Sequence, residues 1–235
     1  MKNINTQQKR IKNAALAGVI FSVISLFISD LHTVADFLIS RVQGDSVLSA
    51  LPAGLEYLFY FTGCIASPIL AVSLIVFGVG FLALYKQNAQ NIALVCAVLI
   101  FISAASALFS GFADLRYALA VSSAYAVGTT SISINAAVLR GISALIEGLI
   151  AGLALPITLY VFFKRGGNRI GKTGTVITLF GVILGIAVKS LALWVIPVLM
   201  LALFLLLMAI KSVGFILISA GLFIQSASNP YSENT

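Results

Sequence analysis

The chain alternates long apolar runs with short polar segments. Most of the runs approach or exceed about 18 residues, the length that an α-helix needs to cross the roughly 30 Å hydrocarbon core of a bilayer. Backbone polar groups in lipid must be satisfied within their own segment, so each run is predicted to be a helix. The pattern predicts one membrane domain over residues 13–225, with spans near 13–39, 56–85, 92–112, 141–163, 174–190 and 191–210.

Residues 211–225 are ambiguous in this pattern. Fifteen residues of helix extend roughly 22 Å, which is shorter than the hydrocarbon core. We interpret the segment as a continuation of the sixth span or as a helix lying along the inner interface, and a short seventh span is the alternative. Residues 1–12 and 226–235 are polar and are predicted to be tails outside the membrane.

The composition excludes a soluble globular domain. Of the 235 residues, 60% are hydrophobic and only 9% are charged, whereas soluble domains carry roughly 25% charged residues. So few charges cannot coat a water-soluble particle of this size, so most of the surface must face lipid. The predicted fold class is an all-α, polytopic transmembrane helix bundle with about six spans.

The distribution of basic residues predicts the orientation of the bundle. The net charge is +7, and Lys and Arg in short loops keep those loops on the cytoplasmic side. One set of alternate polar segments holds nine basic residues: Lys2, Lys9, Arg10, Lys12, Lys86, Lys164, Arg165, Arg169 and Lys172. The other set holds four: Arg41, Arg116, Arg140 and Lys189. Both termini are therefore predicted to be cytoplasmic, in a multi-pass protein of the cytoplasmic membrane.

The most basic loop, residues 164–173, also matches the written pattern of a phosphate-binding P-loop. Its residues 166–173 read GGNRIGKT. A P-loop needs a preceding strand and a magnesium-binding acid downstream, but apolar spans flank this loop and Glu233 is the only later acid. We therefore interpret the loop as a cytoplasmic anchor. Its basic residues are candidate contacts for anionic lipid or an acidic partner: Lys164, Arg165, Arg169 and Lys172.

Glu147 is the ionisable residue that the pattern places deepest in a span. It lies six residues after Gly141, roughly 9 Å below the outer end of the fourth span. Ionisable groups at such depth usually have a partner or face a wet cavity, and the nearest cations are Lys189 and Arg140. Two interpretations stay open: a proton or ion pathway, and an internal ion pair that fixes the helix register.

Small residues recur at helical spacing in several spans. Gly148 and Gly152 form a GxxxG pair, and Gly174, Gly181 and Gly185 share a face of the next span. Such stripes let helix backbones approach closely in lipid. They predict tight packing, either within the bundle or against partner helices.

No catalytic constellation accompanies these features. The sequence contains no HExxH, paired CxxC or GxGxxG pattern, so neither an enzyme nor a cofactor is expected. His32, Asp36, Asp30 and Glu56 could lie at one height, but firm nitrogen or sulfur ligands are too few for a zinc site. We interpret them as a solvated interfacial cluster, and no metal is predicted.

The sequence leaves three functional hypotheses. The first is a transport component, or the membrane part of a translocation assembly, which polar groups and prolines within spans favour. The second is a non-transporting structural or assembly subunit that packs through its small-residue stripes. The weakest is a channel partner of a cytosolic nucleic-acid motor, because the basic residues stand in loops and not in a lumen. The expected partners are the lipid bilayer and other membrane subunits or further copies of the chain; nucleic acid is not expected.

Overall fold

The chain is helical throughout the part that the structure describes. The computed structural model describes residues 2–42, 53–88, 90–127, 134–191 and 197–227, and these contain no strand. The predicted all-α, polytopic class is confirmed. The elements in chain order are α1 (Lys2–Val42), α2 (Ala53–Asn88), α3 (Asn91–Val127), α4 (Ile134–Glu147), a π-helical segment (Gly148–Ala154), α5 (Leu155–Arg165), α6 (Arg169–Leu191) and α7 (Pro197–Ala227).

Large apolar side chains cover the outside of these helices. Leu145, Val72 and Phe180 are 67%, 60% and 57% exposed, and such a surface is compatible with lipid and not with water. Five described segments are long and apolar enough to cross a membrane: Ile65–Gln87, Asn91–Tyr117, Gly141–Arg165, Arg169–Val188 and Leu205–Gln225. The protein is therefore an integral, multi-pass membrane protein.

The helices close into a ring. α1 packs against α2 and α7, α2 against α3, α3 against α4 and α5, α5 against α6, and α6 against α7. Helices that follow one another in the chain are thus neighbours in space, as short connections favour. The last helix returns to the first, so α1, a helix of 41 residues, packs between α2 and α7.

Phenylalanine rings fill one end of the ring of helices. The ring centroids lie 5.4 Å apart for Phe77 and Phe81, and 5.2 Å apart for Phe81 and Phe162. Both pairs meet edge to face, which aromatic rings prefer. Ile11 of α1 and Leu222 of α7 are fully buried in the same cluster. Side chains from four helices therefore close this end of the bundle.

Backbones touch where α6 crosses α7. A Cβ atom at Gly174 would stand 2.7 Å from both the Gly214 carbonyl oxygen and the Ile218 backbone nitrogen. A Cβ atom at Gly221 would likewise meet the backbone of Gly171. Any larger residue at Gly174 would push the helices apart, so the close approach depends on glycine.

Several hydroxyl groups in the bundle donate to helix carbonyls. The Ser22 hydroxyl donates to the Gly18 carbonyl at 2.9 Å, and the Thr178 hydroxyl donates to the Gly174 carbonyl at 3.0 Å. The buried Ser212 hydroxyl instead donates across helices, to the Ser22 carbonyl at 3.1 Å. This last hydrogen bond sets the height of α7 against α1, since an unpaired hydroxyl in lipid would be costly.

Two helices run further than the apolar pattern indicates. α3 continues to Val127, past residue 112 where the pattern ends the third span, because the alanine-rich sequence that follows retains helix propensity. Residues 211–225 belong to the same helix as residues 197–210. Lysine is a good helix former, so the polar break at Lys211 does not end α7.

Candidate functional site

The predicted intramembrane polar residues lie on two helices. Glu147 is the last residue of α4, and Arg140 lies seven residues, or about two turns, earlier. Lys189 lies near the C-terminal end of α6. The side chains of Arg140 and Lys189 fall outside those that the structure describes. An ion pair between either cation and Glu147 therefore stays a prediction.

The backbone places Glu147 and Lys189 at similar depth. Across the junction between the π segment and α6, a Cβ atom at Gly152 would stand 3.4 Å from Val182. The two elements are antiparallel. Counted from this contact towards the same end of the bundle, Glu147 lies five residues from Gly152 and Lys189 lies seven residues from Val182. At 1.5 Å per residue their heights differ by roughly 3 Å. Arg140 lies roughly 10 Å further towards that end of the bundle.

One side of α4, with the start of the π segment that follows it, is open. Leu145 and Leu149 are 67% and 61% exposed. Gly141 and Gly148 are bare, since a Cβ atom at either would have no atom within 4 Å in the described structure. We call these four residues, Gly141, Leu145, Gly148 and Leu149, the open side of α4. Glu147 is exposed as well, and it lies on a different side of the helix, because residues two apart do not share a face.

The π-helical segment lies at the middle of this span. Gly148–Ala154 is centred almost midway along Gly141–Arg165, and the Leu155 N–H donates to the Ile150 carbonyl, five residues earlier. Pro156 follows directly, near the start of α5. A proline ring clashes with the carbonyl four residues earlier in an α-helix, so the wider π turn is a physical accommodation of Pro156. Such segments often occur at functional sites.

The basic turn between α5 and α6 is a tightly bonded helix end. Gly167 has φ 67°, the left-handed conformation that glycine adopts without strain. Its N–H donates to the Lys164 carbonyl at 3.3 Å, and the Asn168 N–H donates to the Phe163 carbonyl at 3.0 Å. These two bonds and the positive φ define a Schellman motif, which ends α5.

Asn168 then begins α6 and ties it to α7. Its Oδ1 accepts from the Gly171 N–H at 2.9 Å, as an N-cap side chain does. Its Nδ2 donates to the Gly221 carbonyl on α7 at 2.7 Å. One side chain therefore caps a helix and fixes the neighbouring helix beside it.

These bonds occupy most of the backbone donors that a P-loop would need. A P-loop cradles phosphate with free backbone N–H groups after a strand, whereas here a helix precedes the glycines. Five N–H groups of residues 166–172 already donate to groups of the chain, at 2.9–3.3 Å: Gly166 to Phe162, Gly167 to Lys164, Asn168 to Phe163, Gly171 to the Asn168 side chain and Lys172 to Asn168. The turn therefore does not have the geometry of a phosphate cradle.

The predicted basic residues gather at one end of the bundle. The N-terminal part of α1, the α2–α3 turn and the α5–α6 turn all meet the phenylalanine cluster, and the Lys12 Nζ lies 5.8 Å from the centroid of the Phe223 ring on α7. We call this the basic end. Its described basic side chains are Lys9, Arg10, Lys12, Lys86, Lys164, Arg165, Arg169 and Lys172, and all but Lys172 are exposed.

Helix electrostatics does not explain this arrangement. Lys164 and Arg165 lie in the last turn of α5, where a cation is favourable. Arg169 and Lys172 lie in the first turn of α6, where the helix dipole disfavours a cation. Retention of positive loops on one side of a membrane accounts for all four.

Lys211 is a residue of functional interest that the sequence pattern does not single out. It lies inside the span Leu205–Gln225 and is half-buried. The apolar pattern stops the sixth span just before it, at residue 210. Counting the span from residue 205 instead would have shown a single lysine within 21 apolar-rich residues.

Other residues that the sequence singled out lie outside the described side chains, among them His32, Asp36, Asp30 and Glu56. In the described part of the chain, no group of three or more His, Cys, Asp or Glu residues is placed to hold a metal ion. Comparison of the chain with protein-family models, with curated proteins and with solved structures finds no match.

Proposed function

We propose that the protein is a membrane-embedded subunit of a larger assembly, which it contacts through the open side of α4. The observation that carries this proposal is the bare backbone at Gly141 and Gly148, where a Cβ atom would have no atom within 4 Å in the described structure. Glycines seven residues apart lie on one face of a helix, and they permit a partner helix to approach closely in lipid.

Packing at the basic end favours a subunit over a self-contained transporter. Phe77, Phe81, Phe162 and Phe163 are buried to 1% exposure or less, with Ile11 and Leu222 between the helices. Interiors packed in this way have little room for a solute. The described interior is thus filled at one end.

The partner that fits this side is an apolar transmembrane helix. The bare glycines let the partner's backbone approach closely. Leu145 and Leu149, 67% and 61% exposed, supply apolar contact beside them.

A photo-crosslinking amino acid at Leu145 tests this proposal in native membranes. Leu145 is 67% exposed on the open side, and Phe180 on α6, 57% exposed, is the matched lipid-facing control. We expect a protein adduct of one mass from position 145 and none from position 180. The adduct should map to a partner helix, and Gly148→Leu should abolish it by filling the bare backbone. Equal yields from both positions, or an adduct that is indifferent to Gly148→Leu, would contradict the proposal.

Transport is the second candidate, and the π segment favours it. Transporters place their substrate sites near the bilayer midplane, in helices that are interrupted there, and Gly148–Ala154 occupies the middle of its span. In this case Glu147 would carry or couple a proton or cation. Proton flux in proteoliposomes that is lost in Glu147→Gln would support transport; undiminished flux in that variant would exclude this role for Glu147.

The orientation of the protein and the absence of catalysis are part of the same proposal. We place the basic end in the cytoplasm, since Lys and Arg are retained there, and the internally bonded turn supports a protein that does not hydrolyse nucleotides. Arg165→Cys tests the orientation in a variant whose Cys64 has been replaced. The remaining cysteine, Cys96, is fully buried and should not react. We expect an impermeant maleimide to label position 165 only after the cell membrane is opened. Labelling of intact cells would invert the orientation.

A further inference from the structure

Lys211 places an ammonium group deep in the membrane. It lies 14 residues before Gln225, the end of its span at the basic end, which is roughly 21 Å of helix. Against a hydrocarbon core of roughly 30 Å, this leaves Lys211 about 9 Å below the opposite surface. Ionisable residues at such depth are rare and usually mark a site for an ion, a substrate or a lipid.

Two glycines of α6 form a groove for the lysine side chain. A Cβ atom at Gly181 would stand 3.0 Å from the Lys211 Cγ, and one at Gly185 would stand 3.9 Å from the Nζ. Gly185 is one turn nearer than Gly181 to the C-terminal end of α6. The side chain therefore extends along α6, away from the basic end. This is also the direction in which helical side chains of α7 point, back towards its N-terminus.

The two helices that form this groove supply no counter-ion. Neither α6 nor α7 contains an Asp or Glu in its sequence. On α1, the height of Lys211 is fixed by the adjacent hydrogen bond from Ser212 to Ser22. Asp30 lies eight residues beyond Ser22, about 12 Å further along α1. The ammonium group thus lacks a charge partner from its own helix pair.

We propose that Lys211 anchors a binding site for a phosphate group between α6 and α7, at the end of the bundle opposite the basic end. Lysine binds phosphate as a point charge. A lysine side chain extended towards the surface can meet a headgroup that is drawn slightly inward. The phosphate belongs to an anionic phospholipid or is a free phosphate ion. This inference is independent of the partner proposed for the open side of α4.

Ligand-dependent thermal stability of the purified chain in a neutral detergent tests the site. The probes are phosphatidylglycerol, phosphatidylcholine and inorganic phosphate, with sodium chloride at equal ionic strength as the blank. At tenfold excess over its Kd, a ligand should raise the Tm by about 3 °C. We expect the shift to be lost in Lys211→Met and retained in Lys211→Arg. A shift with phosphatidylglycerol alone identifies a lipid, and a shift with inorganic phosphate as well identifies a free anion.

Two further variants keep the outcome decisive. Gly185→Leu retains the lysine but fills the place beside its Nζ, so it should reduce the shift even if Lys211→Met folds poorly. Lys86→Met removes an exposed cation at the basic end and should retain the shift. Equal shifts in the wild type, Lys211→Met and Gly185→Leu would overturn the proposal. So would the absence of a shift in the wild type with every probe.

Discussion

Two regions of the bundle carry glycines at helical spacing, yet they have opposite surroundings. Where α6 crosses α7, a Cβ atom at Gly174 would stand 2.7 Å from backbone atoms of α7; at Gly148, in the π segment, it would have no atom within 4 Å. In the most apolar stretch of Gly141–Arg165, 22% of the residues are buried, against 44% in Leu205–Gln225. A stripe of small residues thus indicates that a helix can approach closely, but it does not identify which helix approaches.

Side chains follow the same division. At the α6–α7 crossing, Asn168 donates to the Gly221 carbonyl at 2.7 Å, so the polar group is used within the chain. On the open side of α4, Leu145 and Leu149 are 67% and 61% exposed. The first region joins two helices and stabilises the bundle, whereas the second leaves an apolar surface for its surroundings. The following predictions test that difference, from the largest expected effect to the smallest.

Gly174→Ala should destabilise the bundle most. Its new methyl group would meet backbone atoms, which cannot rotate away as a flexible side chain can, so we expect a loss of about 3 kcal/mol in the free energy of unfolding. Gly148→Ala is the matched control. It should change this free energy by less than about 0.5 kcal/mol or raise it, because alanine favours the helix. Unfolding midpoints in mild detergent measure both, and equal losses would refute the contrast.

Asn168→Ala should cost about 2 kcal/mol, because it removes both an N-cap and a hydrogen bond to α7. Asn168→Ser keeps an accepting oxygen for the cap but loses the donor to Gly221. We expect it to cost roughly half as much, in the same unfolding measurement. A loss in Ser as large as in Ala would show that the bond to α7 carries the whole effect.

Gly167→Ala should cost about 1 kcal/mol through conformation alone. Its φ is 67° and a Cβ atom there would have no neighbour within 4 Å, so the cost is that of the left-handed region for a residue with a side chain. Gly167→Asn should cost less, since asparagine tolerates this region. An equal cost for both would indicate that the turn rearranges.

Glu147→Gln should change the stability of the isolated bundle least, by less than about 0.5 kcal/mol, because the side chain is exposed. A loss of more than about 2 kcal/mol would instead favour the internal ion pair that fixes helix register.

The sequence anticipates the coarse features of this molecule and misses particular ones. The length and apolarity of the runs are sufficient for the all-α membrane class, because lipid permits few alternatives to a helix. The apolar pattern alone does not place Lys211 within a span, because a charged residue interrupts that pattern. Only the structure shows that α7 continues through it. Nor does it reveal the π segment, which depends on how the helix accommodates Pro156.

The GGNRIGKT turn shows most clearly what each level decides. Composition by itself determines that the chain belongs in lipid, and the charge of the turn predicts its side of the membrane, since both depend on the solvation of residues one at a time. Only the tertiary structure shows that the backbone donors of the turn bond to their own helix ends and that Asn168 holds α7. It also decides which glycines are covered and which are bare. These outcomes depend on which helix becomes a neighbour, and a residue's identity does not contain that information.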